Sequence, residues 1–167
     1  MKKNLLVGLL LTSTLAFSQV EKGDVSLTFN VSYLSIEGSG TGVINAKLGR
    51  YFTQNIEAGV RPQIMIGEGF TRYGTGIYGT YNFLTADAML LPYIGADFSF
   101  TQTETDFVGF GRTDLGVNGG AKYFLTEALN IDAGLVFTTK IAGDDLAGDG
   151  GSFLLNVGIG FIFGKLK

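Results

Sequence analysis

From Lys22 to the end of this 167-residue chain, apolar and polar residues alternate one for one, segment after segment. A period of two belongs to the β-strand, whose successive side chains leave opposite faces. The first segment sets Val25, Leu27, Phe29, Val31 and Tyr33 against Ser26, Thr28, Asn30 and Ser32. The third sets Ile56, Ala58, Val60, Pro62, Ile64 and Ile66 against Glu57, Gly59, Arg61, Gln63 and Met65, and the last sets Phe153, Leu155, Val157, Ile159, Phe161 and Phe163 against Ser152, Asn156, Gly158 and Gly160. Five more segments follow the rule, beginning near Val43, Tyr73, Ile94, Asp114 and Ile131, which predicts an all-β chain of eight antiparallel strands.

The connections alternate in length. Thr53–Asn55, Leu84–Ala88 and Leu125–Ala128 are tight, whereas Ser35–Gly42, Gly67–Arg72, Gln102–Gly111 and Ile141–Gly151 are longer. Short turns at one end and longer loops at the other are the layout of an eight-stranded up-and-down transmembrane barrel. Three tight turns repeat a pattern, Arg50-Tyr51-Phe52-Thr53, Tyr81-Asn82-Phe83-Leu84-Thr85 and Lys122-Tyr123-Phe124-Leu125-Thr126, which predicts Tyr and Phe together in an aromatic girdle at one bilayer interface. Matching the second segment to the sixth by this repeat turns Asn45 and Lys47 outward. The apolar pattern contradicts that register, so it is taken to govern, with Arg50 outward at a strand end.

Alternation does not say which face is outside; a secreted, lipocalin-like ligand-binding barrel shows the same period with faces reversed. Composition separates them. Only 16% of residues are charged, against about 25% in soluble domains, yet no mature stretch reaches the ~20 apolar residues of a membrane helix. The polar faces are mostly Gly, Ser, Thr and Asn, which solubilise poorly but fit a narrow interior. Their charges balance, with Lys47, Arg61, Lys122 and Lys140 against Glu57, Asp97, Asp114 and Asp132. A confined interior demands such balance, because unpaired buried charge costs several kcal/mol. The apolar faces therefore meet lipid, and these eight residues form a salt-bridged plug within a lumen that eight strands just fill. A narrow or gated channel for ions or small solutes remains the alternative.

The segment Asn156-Val157-Gly158-Ile159-Gly160-Phe161-Ile162-Phe163 carries Asn156, Gly158, Phe161 and Phe163 at the spacing of a polar residue, a glycine and two aromatics. It resembles the assembly signal that the outer-membrane insertion machinery reads on a last strand, although Gly164-Lys165-Leu166-Lys167 follow here. With the Tyr-Phe turns and the strand start Leu91-Pro92-Tyr93-Ile94-Gly95-Ala96, it is similar to the small outer-membrane barrels: the OmpA transmembrane domain, OmpX and the OmpW-like porin family. The resemblance implies a fold, an outer-membrane location, lipid as surroundings and the insertion machinery as assembly partner. It does not single out an activity.

Residues 1–18 read as a cleaved secretory signal, with Lys2 and Lys3 before the apolar run Leu5–Phe17 and small residues Ala16 and Ser18 at the cleavage site; the barrel domain is 19–167. Without the two lysines, ten basic residues face fifteen acidic ones, a net −5, which argues against nucleic acid as a partner. A monomer is expected. Gly74-Thr75-Gly76-Ile77-Tyr78-Gly79 matches a dinucleotide fingerprint, but it lies in a strand with no helix after it, so the glycines are expected to relieve crowding inside. Asp144, Asp145 and Asp149 fit no calcium-loop spacing. Asn30-Val31-Ser32 is a glycosylation sequon within a strand, and is set aside. Neither Cys nor His is present, which removes thiolate and Ser–His catalysis. No catalytic site, metal or cofactor is expected.

Overall fold

A computed structural model describes residues 20–36, 39–67, 70–87, 89–104, 109–143 and 151–164. The expected leader at residues 1–18, the loop aspartates Asp144, Asp145 and Asp149, and residues 165–167 lie outside these. Eight strands follow in order: β1 (Val25–Ile36), β2 (Ser39–Tyr51), β3 (Ile56–Gly67), β4 (Phe70–Asn82), β5 (Leu90–Glu104), β6 (Gly109–Phe124), β7 (Leu129–Gly143) and β8 (Ser152–Phe163). Each pairs antiparallel with the next, and β8 returns to pair antiparallel with β1. The expected eight-stranded up-and-down barrel is therefore the one found. Closure satisfies the backbone groups that an edge strand leaves open. No helix among the described residues is long and apolar enough to cross a membrane; a barrel crosses with strands.

The strands outrun their hydrophobic pattern. Residues 35–42 read as a loop in the sequence, yet β1 and β2 stay paired as far as Ile36 and Ser39, and β5 and β6 as far as Glu104 and Gly109. Past the apolar belt the alternation fades, because nothing there selects it. The backbone ladder continues regardless, since any non-proline residue can donate and accept in it.

The repeated Thr of the tight turns has a local role. Thr53 Oγ1 accepts from the backbone N–H groups of Asn55 and Ile56, at 3.2 and 3.0 Å. Thr126 Oγ1 does the same for Ala128 and Leu129, at 3.3 and 3.0 Å. A side-chain acceptor at this position satisfies donors that a four-residue turn leaves free.

The GxGxxG match lies within β4. A Cβ at Gly74 would strike the Phe100 carbonyl oxygen and approach Thr101 Cα at 2.8 Å, so the glycine permits close contact between β4 and β5 on the crowded inner face. Gly74→Val should destabilise the barrel by about 1–3 kcal/mol through overpacking, measured by urea titration of protein folded into lipid vesicles. A neutral result would show that the strands can part there without cost.

Candidate functional site

The lumen is the chemically dense part of the molecule, and it is layered. At the short-turn end Val20, Tyr51, Leu91, Phe124 and Ile162 form one buried apolar cluster. Val20 and Tyr51 have no exposed surface at all. The strand-entry backbone fastens this end, with Gly23 N–H donating to Tyr51 O at 2.7 Å and Tyr51 N–H donating to Asp24 O at 2.9 Å. This apolar layer lies at the short-turn mouth of the barrel.

Above the seal lies a layer of lysine, carboxylate and tyrosine. Lys122 Nζ is 2.5 Å from Glu57 Oε2 and donates to the Tyr51 hydroxyl at 2.9 Å. Glu57 Oε1 accepts from Ser26 Oγ at 2.6 Å and from the Tyr78 hydroxyl at 2.8 Å. Asp132 accepts from the Tyr93 hydroxyl at 2.8 Å and faces Lys47 Nζ at 3.7 Å. Both ammonium groups also sit over tyrosine rings: Lys122 is 5.3 Å from the Tyr51 centroid and 5.8 Å from that of Tyr93, and Lys47 is 5.6 Å from Tyr93 and 5.9 Å from Tyr78. Ring faces and carboxylates together replace the water that these cations lose on burial.

Nearer the long-loop end, Arg61 pairs with Asp97 at 2.6 Å, and Asn118 donates to the other Asp97 oxygen at 3.2 Å. Asn30 donates to Asn45 at 3.1 Å, and Ser32 donates to Asn156. Arg112 Nε meets Asp114 Oδ1 at 2.5 Å, and Arg72 Nε donates to the Thr103 hydroxyl at 2.7 Å. Beside these arginines is a cavity of about 40 Å³. Val43, Val136 and Leu154, with Met65 against them, form the apolar part of its wall.

Seven of the eight charged residues singled out in the sequence are buried in the interior, and Lys140 is half-buried near the end of β7. Lys47 meets Asp132, Lys122 meets Glu57 and Arg61 meets Asp97. Asp114 is contacted by Arg112, and Lys140 stands across from Asp114 in the β6–β7 ladder, beside a register shift at Thr113 and Asp114. The expected four-to-four balance requires correction, because Arg72 and Arg112 also line the inner cavity. Both fell at the borders of segments read as loops, so they were not assigned a face. Tyr51, Tyr78 and Tyr93 were missed too. Each is one residue out of phase with the outward apolar run, and that parity was the available signal.

The girdle also needs revision. Neighbouring residues in a strand point opposite ways, so Tyr51-Phe52 and Tyr123-Phe124 cannot both lie outside. Phe52, Tyr81, Phe83 and Tyr123 are exposed, while Tyr51 and Phe124 turn in to the seal. Tyr81 and Phe83 meet edge to face at 5.2 Å. Arg50 is exposed at the end of β2, as expected. On β8, Asn156 and Gly158 face inward, and Phe161 and Phe163 stack outside at 6.5 Å. A Cβ at Gly158 would collide with the Phe29 carbonyl and the Asn30 amide. Asn30 of the sequon is buried, out of reach of surface modification.

Outside, the large apolar residues of all eight strands are exposed, among them Phe29, Leu48, Val60, Ile77, Phe98, Val117, Leu135 and Val157. A ligand-binding soluble barrel needs the reverse arrangement, so the lipocalin-like alternative fails on orientation.

No protein-family model matches this chain, and no curated relative does either. Solved structures do match in fold. The N-terminal β-barrel domain of Pseudomonas aeruginosa OprF superposes with a TM-score of 0.71 at 18% identity, covering 86% of this chain and 100% of that one. Neisserial surface protein A gives 0.67 at 19% identity, covering 84% and 96%. The outer membrane protein OprG from Pseudomonas aeruginosa gives 0.59 at 12%, covering 88% and 99%.

Proposed function

We propose that this chain, built on the fold that the small outer-membrane barrels share, is an integral outer-membrane protein with a sealed lumen and no enzymatic activity. Its role is structural, or lies in presenting its longer loops to the outside. One observation carries the reading: a predominantly apolar exterior surrounds an interior of paired charge. Soluble monomers rarely expose contiguous apolar patches beyond a few hundred Å². Here such residues encircle the molecule, and hydrocarbon is the solvent that suits them.

The leader at residues 1–18 supports export, and the pattern of Asn156, Gly158, Phe161 and Phe163 supports recognition by the insertion machinery. The lumen supports a plug over a channel. An apolar cluster fills the short-turn end of the lumen, and its lysines are held by carboxylates and rings. Glu57 and Asp132 are engaged in the same network, which leaves them poor candidates for acid–base work.

Two measurements test this. Protein from the outer-membrane fraction should need detergent and should migrate differently before and after boiling; solubility without detergent sinks the membrane assignment. In planar bilayers it should hold a flat baseline with only rare, tiny openings. Sustained conductance would restore the channel alternative.

A further inference from the structure

The apolar layer at the short-turn end has one member that does not belong to the barrel wall. Tyr51, Leu91, Phe124 and Ile162 lie on β2, β5, β6 and β8. Val20 precedes β1, on a segment outside the strand ladder, yet it has no exposed surface. A side chain brought in from outside the wall thus completes the layer.

The segment is shaped to hold that side chain in place. Asp24 Oδ2 accepts from Glu21 N–H at 2.7 Å, and Asp24 N–H donates to Glu21 O at 3.2 Å. This closes a turn in which Gly23 takes a φ of 99°, a left-handed conformation that glycine adopts without a Cβ penalty. The turn meets the wall at Tyr51, through Gly23 N–H to Tyr51 O at 2.7 Å and Tyr51 N–H to Asp24 O at 2.9 Å. The Tyr51 hydroxyl in turn accepts from Lys122 Nζ in the charged layer. One residue therefore links the segment to the lysine, carboxylate and tyrosine network. A strand cannot leave the wall without breaking its ladder, whereas this segment can leave with every strand pairing intact. Chain ends held by few side chains open at lower free energy than the strands they adjoin.

We infer that residues 20–24 form a withdrawable stopper. With Val20 seated, it closes the short-turn mouth; with Val20 withdrawn, it admits water to the charged layer. The inference deepens the sealed-lumen reading and rests on it for the water-facing side of that mouth.

The chain has no cysteine, so one engineered thiol reports access. Asn130→Cys places it opposite Phe124 in the β6–β7 ladder, at a buried position whose amide atoms make no hydrogen bond that the substitution would remove. The probe is a small, charged, membrane-impermeant thiol reagent, added to the protein folded in zwitterionic micelles. Heat-modifiable migration confirms that each variant is folded. With Val20 in place, labelling should be slow. Val20→Gly, which removes the seated side chain, and Val20→Asp, which carries a charge into the apolar layer, should each speed it at least about tenfold, the factor that losing one buried valine implies. Lys22→Gln, an exposed neighbour in the same segment, should label like the native segment. So should Gly74→Val, which strains the wall elsewhere and separates a lifted stopper from a generally loosened barrel. Rates unchanged by both Val20 variants overturn the inference, as does equal acceleration by Gly74→Val. Rapid labelling with Val20 in place overturns it too, because the mouth would already be open. Solubility without detergent sinks the membrane reading beneath it, whereas a detergent-requiring barrel with unchanged labelling sinks the stopper alone.

Discussion

Replacing Glu57 with Gln should cost the folded barrel about 3–5 kcal/mol, the penalty for stranding one member of a buried ion pair. Lys122 is 4% exposed, and its ammonium is 2.5 Å from the Glu57 carboxylate. Without that carboxylate, Tyr51 still offers a hydroxyl and a ring, but neither supplies a compensating charge. The Tyr78 and Ser26 hydroxyls lose their ionised acceptor in the same step. Urea titration in lipid vesicles measures the loss. The double variant Glu57→Gln/Lys122→Met should recover most of it, because no lone charge then remains inside. A single variant within about 1 kcal/mol of wild type would mean that water or another group already solvates Lys122. Conductance provides a separate check. Glu57→Gln should stay closed, since the seal of Val20, Leu91, Phe124 and Ile162 lies beneath the pair and does not depend on it.

An arginine placed halfway along the outside of β8 should be the most damaging surface change. Val157→Arg puts a cation at mid-height in the apolar belt, at an expected cost of about 2–4 kcal/mol, whereas Phe163→Arg at the strand end should cost no more than about 1 kcal/mol for its charge. The native chain illustrates the second case, for Arg50 already points outward at the end of β2. On a protein surface bathed in water, Val157→Arg would fall within about 0.5 kcal/mol of neutral. The depth dependence is thus the discriminating quantity. Equal costs at the two positions, measured in vesicles, would remove the hydrocarbon from around the barrel.

Much of the architecture was legible in the chain because a membrane barrel has two solvents, lipid outside and a crowded polar lumen within. A one-residue error in strand phase would exchange them, so period two is enforced wherever hydrocarbon touches the strand. That enforcement made Phe98, Leu135 and Val157 readable as outward and Lys122 and Asp132 as inward. It lapses at the ends of strands, where the inner arginines Arg72 and Arg112 were lost among polar and glycine residues. The girdle misreading had the opposite origin. Tyr-Phe neighbours were read by composition, and parity, which sends Tyr51 and Phe124 inside, was set aside.

The order of residues along the chain determined the strand count, the outward face and most of the charges inside, because each depends on local alternation. Partnership was beyond it. Lys122 meets Glu57 across 65 positions of sequence and Tyr51 across 71. Such pairs exist only once closure of β1 on β8 brings opposite walls of a narrow cylinder together. The same closure decided that an apolar layer would gather at the short-turn end with the lysine, carboxylate and tyrosine layer above it, since both follow from how strands far apart in the chain line up around one axis.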